Sequence, residues 1–232
     1  MLTISLRTLS QPLSPAITSS NAPYYKTISS SYALISPDLQ NLNAHRYQRQ
    51  ISGGHQEYIE AASFEHYLTT ASLLSYEEAV KKVRELDAEG QGVGLGYEDY
   101  VLGIYDMTGE LMRFAITAMA MNGALPTPSP APAPSATSHA PATDAMQIDP
   151  PQQQSHQRTI LTDLRQLRSA LESLNTSSTG PFGKEADKKA EVMRQSVEKV
   201  ERALYGLTVR GAERPKGWMP DLSSGRGVEV EG

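Results

Sequence analysis

The sequence predicts an all-α protein, a bundle of about five helices packed antiparallel, and three observations predict it. Apolar residues recur three or four positions apart over several long stretches, which is the period of one helix face. No segment alternates apolar and polar residues as a half-buried strand does. Prolines, glycines and one helix-start signal cut the periodic pattern into pieces of helical length.

Residues 1–42 carry Pro12, Pro15, Pro23 and Pro37 among many serines and threonines. They show no sustained period, so disorder or poor packing is predicted there. The first acidic residue is Asp38, but Arg7 and Lys26 are the only basic residues before it. An organelle-targeting leader is normally arginine-rich, so that reading is disfavoured. Order is expected from about Asn43. A proline-free helical stretch follows, with Tyr58, Ala61, Ala62, Phe64, Tyr67 and Leu68 at helical spacing. Ser75 followed by Glu78 matches a capping box and predicts a helix from about Tyr76 to Ala88, stopping at Gly90. The QGVGLG segment at 91–96 has no GK[ST], no preceding strand and the wrong glycine spacing for a phosphate loop, so an interhelical turn is expected.

The central helix is EDYVLGIYDMTGELMRFAITAMA, residues 98–120. Val101, Ile104, Met107, Leu111, Phe114, Ala115 and Ala118 form one broad apolar stripe. Gly103 and Gly109 inside it cost about 1 kcal/mol each against alanine, which calls for close approach of another helix or a ligand. Residues 124–157 are a Pro/Ala-rich, then Gln-rich, linker that cannot bury a core and is predicted to be a disordered tether. His139 and His156 within it are isolated and are assigned no role. Helical pattern resumes at 159–174 with Ile160, Leu161, Leu164, Leu167, Leu171 and Leu174. After a break at 175–183, a last helix at about 184–209 aligns Val192, Met193, Val197, Val200, Leu204 and Leu207. Pro215 and Pro220 end regular structure, and residues 223–232 read as a flexible tail.

Composition narrows the chemistry. The apolar share of 39% is below the globular norm, as the linker explains. With no cysteine, disulfides, thiolate metal sites and a cysteine nucleophile are excluded. A net charge of −5 argues against a chain that grips nucleic acid unaided; a partner or a metal must supply positive charge. No apolar run reaches the roughly 18 residues of a membrane span.

Two acidic pairs remain. Glu57 and Glu60 are three apart, and Asp106 and Glu110 are four apart, so each pair shares one helix face. Neighbouring like charges repel unless a cation lies between them. Mg²⁺ takes oxygen ligands, and facing helices that each offer a carboxylate pair suit it. The alternative is ordinary charge on solvated helix faces, and the residues alone leave both open. His55 is expected at the surface and His66 packed or partly buried. Arg113 is expected to pair with Glu110 along the helix. Arg210, Arg214 and Lys216 suit either nucleic acid or a solvated C-terminus.

Three blocks carry a family resemblance: GGHQEYIEAASFEHYL, DYVLGIYDMTGELMRFAI and VEKVERALYGLTVRGAERPK. In this order they resemble the translin superfamily, and its X-type branch more closely than translin itself. The resemblance covers about 45–123 and 158–222. It divides the chain into an atypical segment 1–42, a translin-like helical part at 43–123, the linker 124–157 and a second translin-like part at 158–222. It implies a translin-type helical bundle that assembles with translin into a hollow hetero-oligomer in cytoplasm and nucleus. It also implies Mg²⁺-dependent (or Mn²⁺-dependent) endoribonuclease activity on single-stranded RNA, with the catalytic carboxylates in the X-type subunit. By motif, Glu57, Glu60 and Asp106 match those carboxylates, and Glu110 is a fourth candidate; all four are expected to be metal ligands. The competing expectations are a non-catalytic subunit that binds single-stranded DNA or RNA or serves as a scaffold, and an interaction protein using the leucine-rich face 159–174. Family members carry a long helical region upstream of the QEY block. Here the Ser/Pro-rich segment predicts that this first helix is missing, with weakened assembly as the result.

Overall fold

A computed structural model describes residues 9, 12–87, 93–128, 158–174, 176 and 180–211, side chains of 210 and 211 excepted. The elements are α1 (Pro15–Ile35), a 3₁₀ turn (Ser36–Leu39), α2 (Leu42–Thr70), α3 (Tyr76–Leu86), α4 (Tyr97–Asn122), α5 (Ile160–Glu172) and α6 (Pro181–Gly211). There is no strand among the described residues, so the chain is all-α as the periodicity predicts. No described helix is long and apolar enough to cross a membrane.

The central helix of the sequence is the central helix of the fold: α4 packs on α2, α6, α5 and α3. Its buried residues include Leu102, Ile104, Met107, Leu111, Phe114, Ala115 and Ala118. Glu98 and Asp99 in its first turn complement the helix dipole. Gly123 ends it at φ 68°, a left-handed cap whose N–H donates to the Met119 carbonyl at 2.9 Å. Gly103 is where α2 comes closest. A Cβ there would lie 2.8 Å from the Ile59 Cβ and 2.9 Å from the Gln56 carbonyl oxygen. The predicted close approach is thus met at Gly103. It is not met at Gly109, where a Cβ would find nothing within 4 Å.

Around this axis lie two apolar clusters. One gathers Tyr58, Ile59, Leu102 and Ile104 with Leu74, Ala79 and Val83. The other gathers Phe64, Tyr67, Met107, Leu111 and Phe114 with Ile160, Leu164, Val197 and Val200. The Ser75–Glu78 capping box is present in full, and α3 runs to Leu86 rather than Ala88. On α6, Met193, Val197 and Val200 are fully buried, but Val192 is exposed; Ala186 and Ala190 complete the inward stripe instead. Pro181 opens α6 three residues earlier than the sequence suggests, at a position where its missing N–H costs nothing.

The N-terminal expectation is corrected over residues 15–35; residues 1–8, 10 and 11, on which it also falls, lie outside the described residues. Residues 15–35, expected to be disordered or poorly packed, form α1, so the upstream helix is not missing. The reason is that α1 is held from outside rather than by its own pattern. Only Ile17, Asn21 and Tyr32 are buried along its 21 residues, too few to mark a stripe. Tyr25 donates to Glu65 at 2.5 Å and Ser29 to the Leu86 carbonyl at 2.7 Å, tying α1 to α2 and α3. Thr27, Ser30 and Ser31 turn their hydroxyls back onto carbonyls four residues earlier, at 2.8–2.9 Å. Residues that favour caps and turns by propensity are in this way accommodated in a helix.

Most of the linker, 129–157, lies outside the described residues. Its two ends meet: the Ile160 N–H donates to the Pro126 carbonyl at 3.2 Å, and Leu125 packs on the second apolar cluster. The segment therefore leaves and rejoins the bundle at one point. Replacing residues 130–156 by about six Gly/Ser residues should leave the melting temperature unchanged or slightly raised, because shortening a closed loop saves about 0.6 kcal/mol per halving. A fall of more than about 5 °C in calorimetry would show that the linker contributes to the core. The two central glycines should respond oppositely to alanine. Gly103→Ala should destabilise by about 1–3 kcal/mol through overpacking against Ile59, while Gly109→Ala should stabilise by up to about 1 kcal/mol. Chemical denaturation of both variants checks the contrast.

Candidate functional site

The four candidate carboxylates lie where α2 faces α4. Glu57 and Glu60 come from the QEY turn of α2, and Asp106 and Glu110 from the DMTGE turns of α4. Glu57 is exposed, and Glu60, Asp106 and Glu110 are half-buried. The apolar neighbours Tyr58, Ile59, Met107 and Leu111 turn into the core and leave the acids at its edge.

Electrostatics show that the two pairs share one field. The Glu60 carboxyl is pushed up to about 7, first by burial and then by the negative charges of Asp106, Glu110 and Glu57, with Arg113 opposing. Glu60 is the member of the set most in need of a cation. Two of the other three acids already have one. Arg113 bonds Glu110 along α4, as the spacing predicts. Lys189 of α6 bonds Asp106 and also donates to the Gln56 side-chain oxygen at 3.1 Å. No group of three or more acidic or histidine side chains among the described residues is placed to hold a metal ion. The structure thus brings the four carboxylates to one face without converging them into a finished ligand set.

Lys189 is the residue that sequence reading misses. A signal for it exists: Lys189 follows Ala186 by three and precedes Met193 by four, so it falls on the inward stripe of α6. A lysine on an apolar stripe implies a carboxylate across the interface.

The histidines divide. His66 is half-buried as expected, bonded to Ser72 at 3.1 Å. His55, expected at the surface, is 1% exposed. It lies on the same helical face as Tyr58, Ile59 and Ala62, and it is accepted there because Asp99 meets it. Its Nδ1 stands 3.5 Å from Asp99 Oδ2, longer than a well-formed hydrogen bond, and the Tyr32 ring meets it edge-on at 5.8 Å. Burial alone would raise the Asp99 carboxyl, but contact with His55 and the hydrogen bond from Ser52 outweigh it and hold the group below the usual carboxylate range. Ser52 in turn accepts from the Gln56 amide at 2.9 Å. A continuous polar path therefore runs from Asp99 through Ser52, Gln56 and Lys189 to Asp106. Arg214 and Lys216, and the side chain of Arg210, lie outside the described residues, as do His139 and His156.

An all-α bundle whose two principal helices present paired carboxylates at their contact defines the class, and the Translin family pattern matches residues 3–211: the chain belongs to the translin family. It is similar to Translin-associated protein X of Mus musculus, 31% identical over 208 residues that take in 82% of this chain and 60% of the mouse protein. The same protein of Pongo abelii is also 31% identical with the same coverage, and the Translin-associated protein X homolog of Schizosaccharomyces pombe is 28% identical, covering 82% of this chain and 65% of the yeast protein. The chain spans about three-fifths of the length of the mammalian relatives. The family match begins at residue 3 rather than near 45, so it takes in α1.

The raised Glu60 carboxyl has a pH consequence in metal-free protein. Its native pKa of about 7 exceeds the ordinary carboxylate value, so the native state holds a proton that the unfolded chain releases. Stability from this group is whole below the unfolded value and is lost as pH rises through about 7. In chelator, Glu60→Gln should melt with the parent at pH 4 and about 2–4 °C above it at pH 8, half-exposure keeping the effect to the order of 1 kcal/mol. Equal melting temperatures at pH 8 would refute the electrostatic reading.

Proposed function

We propose that this chain is the X-type subunit of a translin-containing complex and supplies the carboxylates for Mg²⁺- or Mn²⁺-dependent endoribonucleolytic cleavage of single-stranded RNA. One observation carries the reading: Glu60 sits half-buried within the field of three further carboxylates, with no cation of its own. The donor set is entirely carboxylate oxygen, which fits a hard divalent ion in kind.

Glu60 and Asp106 would hold such an ion from facing helices, with Glu57 and Glu110 completing or flanking the set. When bound, the ion would lower the pKa of a water and offset charge on the scissile phosphate. The packing of α2 on α4 at Gly103 fixes the spacing of the two acid-bearing turns. Asp106, now paired with Lys189, would have to exchange that lysine for the ion, and Glu110 is paired with Arg113. With a net charge of −5, the chain is poorly equipped to attract RNA by itself, so the partner should supply the cationic surface.

The decisive measurement is cleavage of a single-stranded RNA by the co-expressed translin complex. Glu60→Ala and Asp106→Ala should each lower the Mg²⁺-dependent rate by about 100-fold or more while the complex still assembles. Cleavage at the parental rate by either variant would remove the catalytic assignment. The second reading, a non-catalytic single-strand-binding or scaffold subunit, is favoured by the Lys189–Asp106 ion pair, which leaves the set unconverged. It requires binding of single strands that ignores both chelator and the two substitutions.

A further inference from the structure

Lys189 sits where three helices meet. From α6 its ammonium bonds Asp106 on α4 and the Gln56 side-chain oxygen, 3.1 Å away, on α2. The seat is built rather than chosen by a wandering side chain. Gln56 is buried, and its amide nitrogen is committed to Ser52 at 2.9 Å, which leaves its oxygen turned to Lys189. Ser52 is fixed in turn by Asp99. The Lys189 side chain is 20% exposed, whereas its neighbours Lys184 and Lys188 belong to the exposed surface. One lysine of the three is thus drawn under the acidic face and holds one of its four carboxylates.

We infer that Lys189 is an internal counter-ion that competes with a divalent cation for Asp106. It neutralises Asp106 in the metal-free chain, must let go when the ion is taken up, and thereby sets how tightly the chain takes it. The inference rests on the reading of the four carboxylates as metal ligands. The chemistry favours exchange over shared occupancy. An ammonium and a divalent ion repel each other strongly at contact distance, and Asp106 cannot face both while Gln56 holds the lysine in place. Gln56, neutral and fixed from behind, gives the ammonium a hydrogen bond but no charge, so Asp106 is the only formal counter-charge among the lysine's hydrogen-bond partners. A purely structural ion pair would look the same at rest but would not respond to the metal.

Two measurements on the full chain separate these cases. Free Mn²⁺ is followed by electron paramagnetic resonance during titration of the parent, Lys189→Met, Lys189→Arg and Glu60→Ala. Lys189→Met should bind Mn²⁺ roughly tenfold more tightly than the parent, Lys189→Arg close to the parent, and Glu60→Ala much more weakly. In the unaltered chain, Mg²⁺ should raise acetylation of Lys189 by an amine-reactive reagent several-fold and leave Lys188 unchanged, a readout that needs no variant to fold. If Mn²⁺ binds to parent and Lys189→Met with equal affinity, or Lys189 labelling ignores bound metal, the counter-ion role is overturned and the carboxylate site stands. If neither the parent nor Lys189→Met binds Mn²⁺, the carboxylate site itself is overturned and the counter-ion role falls with it.

Discussion

The contact of α2 with α4 at Gly103 is the constraint on which the rest depends. Ile59 and the Gln56 carbonyl rest on a stretch of α4 that has no side chain, closer than any Cβ would permit. That approach lies within the first apolar cluster, to which Ile59, Leu102 and Ile104 all belong. It also aligns the two acid-bearing turns, since Gln56 lies one residue from Glu57 and Gly103 lies one turn from Asp106. Core packing and site geometry are therefore one feature. A glycine whose cost in helix propensity looks wasteful in the sequence is the position that sets both.

The acidic face illustrates how a bundle keeps like charges at its rim. Four carboxylates from two helices would repel if left alone. The protein answers locally, with Arg113 one turn from Glu110, and across an interface, with Lys189 reaching Asp106. Neither remedy reaches Glu60 or the exposed Glu57 among the described residues, and the half-buried Glu60 carboxyl responds by holding its proton to near neutral pH. The polar path behind the site ends at the buried His55–Asp99 pair, so the charges at the rim are continuous with a polar centre inside the core.

What the sequence reveals and what it hides follow the range of the interaction. The Ser75–Glu78 box, the stripe of α4, the leucines of α5 and the Arg113–Glu110 pair are encoded by residues within a turn of each other, and all are legible. So is the pairing of acids on each helix. Helix α1 is not legible, because Tyr25 and Ser29 hold it through partners on α2 and α3, and its serines argue locally for turns. His55 reads as a surface residue because its polar partner, Asp99, sits on another helix. Lys189 is hidden for the same reason, although its place on the inward stripe of α6 is a usable clue.

The meeting of Pro126 with Ile160 has a further consequence. Among the described residues, α5 and α6 hold to α4 through side chains of a shared apolar cluster, so a break in the chain between them should not by itself separate the helices. The described helices thus divide into a four-helix piece and a two-helix piece that share one interior. The covalent link governs how fast the pieces find each other, and the apolar seam decides whether they stay together.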